Sequence, residues 1–439
     1  MIGARCAGSA TAIALARAGR RVVALDRVAF PSDTLSTHLL FAGGVAELDE
    51  IGALGRVEAI GAPRLPEASM ADAEVTVRAR YTPVGGIDYG MCVRRPGLDA
   101  ALVATARDAG AEVRERSRVV GLLTDAGRVT GVEYEAAGGE RKALRAPLVV
   151  GADGRGSTVA RLTGGLTPYR SNANGRACFF AYFEDARPEW REVAAQWRVD
   201  RELGTAFPCD DGLVMVLLMP PRARFRSWRD DMEGEFARTV ALMPGLQERL
   251  EGSPRATKIR SAIDTTSYFR RASGPGWALP GDSGHFKDPV TAQGIRDAVR
   301  YGRLLGEAAA PALDSPRLLD RALRRWERRR ERECLECYAW TNRLGRADPM
   351  SPIEEEFYRD GAEDPELARR MLDVFSRTRR PGEAFALRRG VALTGRALRR
   401  PGADRLRVVR AAVDELGATA GGAPARALAR IRPLPDPRG

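Results

Sequence analysis

Apolar and polar positions along this chain change period several times, and each change marks out an element. Met1-Ile2 runs into Gly3, and a small-residue stretch through Ala10, Ile13 and Leu15 predicts a tightly packed helix stopped by Gly19. Residues 21–25 read as a buried strand ending at Asp26. Alternation at Val75, Val77, Ala79 and Tyr81, then at Ile87, Tyr89 and Met91, predicts strands within 67–93. Leu98, Leu102, Val103 and Ala106 fit a helix that ends near Gly110. Short strands follow at 118–123, 128–135 and 141–145, then an apolar strand at 148–150 and a helix through Val159 and Leu162. Residues 178–183, 195–199 and 212–219 read as further strands, with a helix at 232–243. Residues 277–279 form a strand running into a turn, and Ile295, Ala298, Val299 and Leu304 carry helical spacing. The chain then reads as helical over 316–344 and 352–416, with breaks at Pro381-Gly382 and Pro401-Gly402. The Pro/Arg-rich tail from Pro424 is expected to fray.

Strands alternating with helices at both ends of a strand-rich middle imply an α/β chain built from interleaved units. A length of 439 residues exceeds one ordinary core. Segments 1–66, 91–170 and 270–312 are expected to form one Rossmann-like domain, and 67–90 with 171–269 an antiparallel-sheet substrate domain. Residues 313–439 are expected to form a helical C-terminal region. The strand that should precede Gly3 is cut to Met1-Ile2, so the expectation is a truncated first strand and a natural start upstream.

Composition narrows the classes. The 44% hydrophobic and 29% charged residues suit a globular chain, and no apolar run reaches membrane-span length, so a cytoplasmic protein is expected. The net charge is +12, yet lysine occurs only at 142, 258 and 287. Many of the arginines sit in one long helical stretch and in the last sixty or so residues; without any nucleic-acid motif they read as solvated surface, so no nucleic-acid partner is expected. Six scattered cysteines give no disulfide framework, and Cys334 and Cys337 read as two residues on one helix face. With only His38 and His285, a His-rich metal site is excluded.

Three stretches carry the chemistry. Gly3-Ala4-Arg5-Cys6-Ala7-Gly8 opens a helix, and Asp26 lies at the distance of a ribose-binding carboxylate, although Arg5 replaces the middle glycine of G-x-G-x-x-G. Residues 148–157 deliver Asp153 and two glycines to a turn. Residues 281–298 combine Gly281, Asp282, Pro289 and Gly294 with a helix start, a favourable place for an anionic or electron-rich group. The polar loop 30–38 ends in His38, either as a helix start or as a flap over a cofactor.

Together, in this order, the three stretches resemble the FAD-dependent monooxygenases of the aromatic-hydroxylase (para-hydroxybenzoate hydroxylase-like) superfamily, over roughly residues 1–310. Geranylgeranyl-reductase-like and flavin-halogenase-like enzymes belong to the same superfamily, but the Trp-x-Trp-x-Ile-Pro element of halogenases is absent. The resemblance implies FAD held by Gly3, Ala4, Gly8, Asp26, Arg27, His38, Arg95, Asp153, Gly281, Asp282, Pro289, Gln293, Gly294 and Ile295. In that set the Gly3–Gly8 turn takes the pyrophosphate, Asp26 the adenosine ribose and Asp282 the ribityl chain, with residues 289–294 along the flavin ring. It further implies NAD(P)H as reductant, molecular oxygen as co-substrate and hydroxylation of an apolar, aromatic or polyketide-like small molecule through a flavin hydroperoxide. The alternative is a reductase or dehydrogenase of geranylgeranyl-reductase type acting on a C=C bond. Thr291 and Arg296 depart from the glycine and asparagine common there, which weakens the reaction type more than the cofactor. His285 and Lys287, beside the flavin loop, are the candidate proton donors. Substrate identity and oligomeric state stay open.

Overall fold

The computed structural model describes residues 1–384 and 387–414. Its first layer is a parallel sheet assembled from very short pieces. Val23–Leu25 pairs in parallel with Glu112–Arg114, and Val149–Val150 with Trp277–Ala278. Ile2 joins the two ladders, bridging in parallel to both Leu25 and Gly151. The Ile2 N–H donates to Val150 O and the Gly3 N–H to Leu25 O, both at 2.8 Å. Two residues therefore fill the central position of this sheet, because each contributes its backbone groups to both neighbours.

Against this layer the helices Cys6–Arg17 and Gly294–Ala309 lie in close contact. Glycine makes the approach possible. A Cβ at Gly302 would lie 2.5 Å from Ala7 O, and one at Gly306 2.6 Å from Ala14 Cβ. The helix Arg95–Asp108 packs on the other flank of Cys6–Arg17. Residues 118–145 form a separate antiparallel sheet of three strands.

The second layer is a seven-stranded sheet in the order Arg260–Ala262, Cys178–Glu184, Leu213–Leu218, Glu202–Pro208, Val193–Val199, Glu67–Ala71, Thr76–Arg80. All its pairings are antiparallel except that of Val193–Val199 with Glu67–Ala71, the two strands that the intervening domain separates in sequence. The strand Glu202–Pro208 was not anticipated. Its Gly204, Ala206 and Pro208 carry little strand propensity, and a ladder on each side supplies what the residues lack. Phe180, Tyr182, Met215 and Leu217 point to one face, in the same apolar cluster as Val290 of the 281–298 stretch. Phe179, Val214 and Val216 point to the other, covered by Trp228, Phe236 and Leu246.

The C-terminal region is helical, as expected, with Pro316–Leu344 unbroken over 29 residues. The span from 352 divides earlier than the sequence reading placed it. Helix Pro352–Glu363 starts with a capping box at Ser351 and Glu354, and Pro365–Ser376 starts from an Asp364 cap. Asp364-Pro365 is itself a stop-and-start signal, since the cap accepts the new helix's N–H groups and proline suits its first position. The tail from Pro424 lies outside the described residues. All six cysteines are free and buried. No helix among the described residues is long and apolar enough to cross a membrane.

Candidate functional site

The turn that opens the chain is shaped by close approach. Gly3 has φ +87°, and a Cβ there would lie 2.5 Å from Ala152 O. At Gly8 a Cβ would lie 1.9 Å from Gly3 O, so the first helical turn can sit directly over the strand end. The helix Cys6–Arg17 has no side-chain cap at its N-terminus. Its leading N–H groups face a site suited to an anion. Arg5, standing where a glycine was expected, swings its side chain aside to Asp99 and to Ser32 Oγ (2.6 Å). Asp26 is buried and accepts from the Ala4 N–H (2.8 Å) and the Val28 N–H (3.0 Å), which fixes the strand end to the turn. Arg27, next along, is exposed.

The third stretch meets this turn. Gly281 has φ +63°, and a Cβ there would approach Ala7 Cβ at 2.9 Å. The Asp282 carboxylate makes no hydrogen bond or ion pair among the described residues. Burial pushes its pKa up, while Arg155, Arg95 and Lys287 pull it down. Gly294 is exposed, a Cβ there would meet nothing within 4 Å, and the helix it begins has no side-chain cap. Two uncapped helix N-termini and a free carboxylate thus converge. This donor and acceptor set fits a dinucleotide, with N–H groups for phosphate oxygens and a carboxylate for hydroxyls.

The segment between is held from behind. Asp288 accepts from Thr265 Oγ1 (2.7 Å) and the Val290 N–H (3.0 Å), and Thr291 Oγ1 meets Thr341 Oγ1 at 2.8 Å. Gln293 Nε2 donates to Thr291 O (2.9 Å) and to Phe375 O (2.8 Å), tying Pro289 to Ile295 to the C-terminal helices. Asp153 turns inward instead. Its carboxylate accepts from Ser157 Oγ (2.5 Å) and the Thr158 N–H (2.7 Å), capping the helix Thr158–Leu162.

His285 and Lys287 lie beneath the stretch rather than over it. His285 stacks on Phe269 with ring centroids 4.2 Å apart, and burial holds its pKa well below the ordinary value. The Lys287 ammonium pairs with Asp297, which also faces Arg296 (2.9 Å) and Arg377 (3.8 Å). A void of about 10 Å³ separates this cluster from Gly281 and Gly294, room for one water. Ligand-type atoms of His285, Asp297 and Cys334 lie within 4.8 Å of one another. Three cations already crowd that carboxylate, so a metal dication would meet repulsion there.

On the opposite side of the turn stands a second polar group that sequence reading only half found. Arg95 donates to Asp99 Oδ1 (2.8 Å), the same buried carboxylate that Arg5 holds. Arg94 donates to Asp210 Oδ2 (2.7 Å) and is held by Asp211. His38 is fully buried with φ +57°, and its Nε2 is hydrogen-bonded to Tyr182 OH on the sheet. It therefore faces the seven-stranded sheet. Asp99 could have been found from its i,i+4 spacing with Arg95. Tyr182 shared only the period-two alternation of any core strand.

The family described as FAD binding domain matches residues 1–332. The digeranylgeranylglycerophospholipid reductase 1 of Methanopyrus kandleri is 27% identical over 372 residues, covering 81% of this chain and 91% of that one. The flavin-dependent brominase Bmp2 superposes with a TM-score of 0.72 at 17% identity, over 94% of this chain and 97% of that one. A flavoprotein/dehydrogenase from Cytophaga hutchinsonii superposes with a TM-score of 0.74 at 18% identity, over 85% and 91%. At these identities the structural likeness speaks for the fold alone.

Proposed function

The chain belongs to the FAD-binding-domain family of oxidoreductases, and from that premise we propose that it reduces a carbon–carbon double bond of an apolar, isoprenoid-like small molecule, with FAD as cofactor and NAD(P)H as electron source. The observation that carries this reading is the apolar face of Phe180, Tyr182, Met215 and Leu217 sharing one cluster with Val290 of the cofactor stretch. A substrate with little polarity is what such a face accepts. The reductase relative adds weight, since its likeness runs through most of both chains. Hydroxylation, the leading expectation from the sequence, and reduction, its alternative, both suit an FAD enzyme, and the likeness to the reductase relative supports reduction here.

In this proposal the N–H groups opening Cys6–Arg17 hold the pyrophosphate. Asp26 takes the adenosine ribose, Asp282 the ribityl hydroxyls, and Pro289 to Ile295 line the ring. Bound FAD would supply a two-electron hydride store. The helix Gly294–Ala309 would stabilise negative charge at its N-terminus. The Lys287–Asp297 pair, buried with Arg377, would set the positive potential behind the ring and hold the loop rather than exchange protons with substrate. The apolar sheet face and the C-terminal helices would keep water from the reacting carbons.

Hydroxylation is the second reading, favoured by the order of the three glycine-bearing stretches. One assay separates the two. The purified protein is incubated with NAD(P)H and polyprenyl alkenes or aromatic compounds, with and without air, and products are weighed by mass spectrometry. Products richer by two hydrogens without air are expected. Products gaining one oxygen only in air would overturn the reduction reading.

A further inference from the structure

We infer that His38 and Tyr182 form a proton relay, with Tyr182 donating to substrate and His38 resupplying Tyr182; this rests on the reductase reading above. The evidence starts with a strained backbone. A non-glycine residue at φ +57° is strained, so its surroundings must hold it there. The Val93 N–H donates to His38 O (3.3 Å), and Ser36 Oγ accepts from the His38 N–H (3.1 Å). The outcome of that strain is an imidazole set edge to edge with a tyrosine. The two rings are nearly coplanar (3°) with centroids 5.9 Å apart, and Phe180 closes one side at 6.3 Å.

The other ring nitrogen, Nδ1, is buried and has no partner among the described residues. A buried polar atom left open in this way calls for an explanation. A ligand or a water that carries protons supplies one. Arg95, whose charge acts on His38, is itself held by Asp99, the carboxylate that also holds Arg5 at the turn. The charged groups around His38 are Arg95, Arg94, Asp33 and Arg260; those around Tyr182 are Asp33 and Arg94, beside the buried thiols of Cys92 and Cys209.

The chemistry follows from where the single imidazole proton sits. With the proton on Nε2, the ring donates to Tyr182 Oη, the phenol hydrogen is free to face substrate, and Nδ1 presents a lone pair. One alkene carbon then takes the phenol proton, so that an O–H bond breaks and a C–H bond forms. Bound FAD in its reduced form would supply the hydride equivalent for the other carbon, and the product would be richer by two hydrogens. The phenolate regains a proton from Nε2 as Nδ1 takes one from water, which leaves hydroxide, and the ring returns to the Nε2–H tautomer by proton exchange with water before the next turnover. The imidazole only exchanges tautomers and never carries net charge beside two arginines. Burial and Arg95 support this by holding the His38 pKa down at about 3, and burial raises that of Tyr182.

The test uses the full chain with FAD bound and 15N-labelled histidine. With two histidines in the chain, His38→Asn identifies the signal, and asparagine tolerates the left-handed backbone. A neutral ring protonated at Nε2 near neutral pH, whose tautomer ratio shifts in Tyr182→Phe, is the expected spectrum. A ring that titrates at an ordinary pKa, or ignores Tyr182→Phe, would overturn the relay. In rapid mixing, Tyr182→Phe is expected to slow alkene-dependent reoxidation, relative to NAD(P)H-dependent reduction, by about 100-fold. Unaltered or equally slowed half-reactions would sink the relay alone. A wild-type protein that takes electrons from NAD(P)H but reduces no alkene would sink the reductase reading and the donor role with it.

Discussion

Buried ionisable groups in this protein are mostly neutralised on the spot, which makes the few that are not informative. Asp99 is shared by two guanidiniums, and Arg249 pairs with Asp185 at 2.8 Å with both side chains fully buried. Asp282 and the open edge of His38 have no such partner, and both border the proposed cofactor and substrate spaces. His38 has a measurable consequence. Its folded pKa of about 3 lies below the ordinary 6.5, so between these values the unfolded chain binds more protons. Stability from this residue is therefore full above pH 6.5 and falls as pH drops towards 3. Urea unfolding of wild type and His38→Asn should show wild type losing roughly 1.4 kcal/mol per pH unit more than the variant below that point. Parallel pH profiles would mean that His38 is protonated as easily in the fold as outside it.

At the scale of elements, the site depends on two helices brought unusually close. Gly302 and Gly306 of Gly294–Ala309 let Cys6–Arg17 approach until Ala7 O and Ala14 Cβ fill the space a side chain would need. This contact fixes the two helix N-termini relative to each other, and hence the spacing between the Gly3–Gly8 turn and Asp282. Gly302→Ala should cost about 1–3 kcal/mol, because the intruding methyl meets backbone rather than a movable side chain. A lowered thermal midpoint together with weaker FAD retention on gel filtration is the expected result. A loss of stability with full FAD retention would show that the spacing is not what the cofactor reads.

Across the whole molecule, the net charge of +12 is concentrated towards the C-terminal end, where residues 377–439 hold 15 arginines against five acidic residues, whereas arginines earlier in the chain are largely paired. Arg128 grips Asp320 at 2.9 Å through both terminal nitrogens, and Arg300 and Arg303 both hold Glu47. These pairs join the C-terminal helices and the Gly294–Ala309 helix to the rest of the chain. If the converging helix N-termini and Asp282 do hold FAD, the purified protein should show an oxidised-flavin absorption band. Added FAD at about 100 times its Kd should stabilise the flavin-free protein by about 2.7 kcal/mol. A colourless protein whose thermal midpoint ignores FAD would remove the cofactor assignment.

Some of this was legible in the residues themselves. Periodicity gave the strands 178–184 and 213–218 and the long helix from Pro316, because burial on one face imposes periods of two and 3.6 whatever the fold. The glycines at 3, 8, 281 and 294 marked places where backbone had to bend or lie bare, and that requirement is local. The strand Glu202–Pro208 could not be read, since its neighbours in the sheet rather than its residues stabilise it. Met1-Ile2 was legible as the remnant of the strand before Gly3, but its bridges to Leu25 and Gly151 depend on strands that begin at Val23 and Val149. Sequence put Lys287 beside the flavin loop, and only the fold turned it inward onto Asp297. Sequence likewise offered His38 to a cofactor and Tyr182 to an ordinary core. Only tertiary structure brought them into one hydrogen bond across 144 residues, because a contact between distant segments is decided by packing and leaves no periodic trace in either.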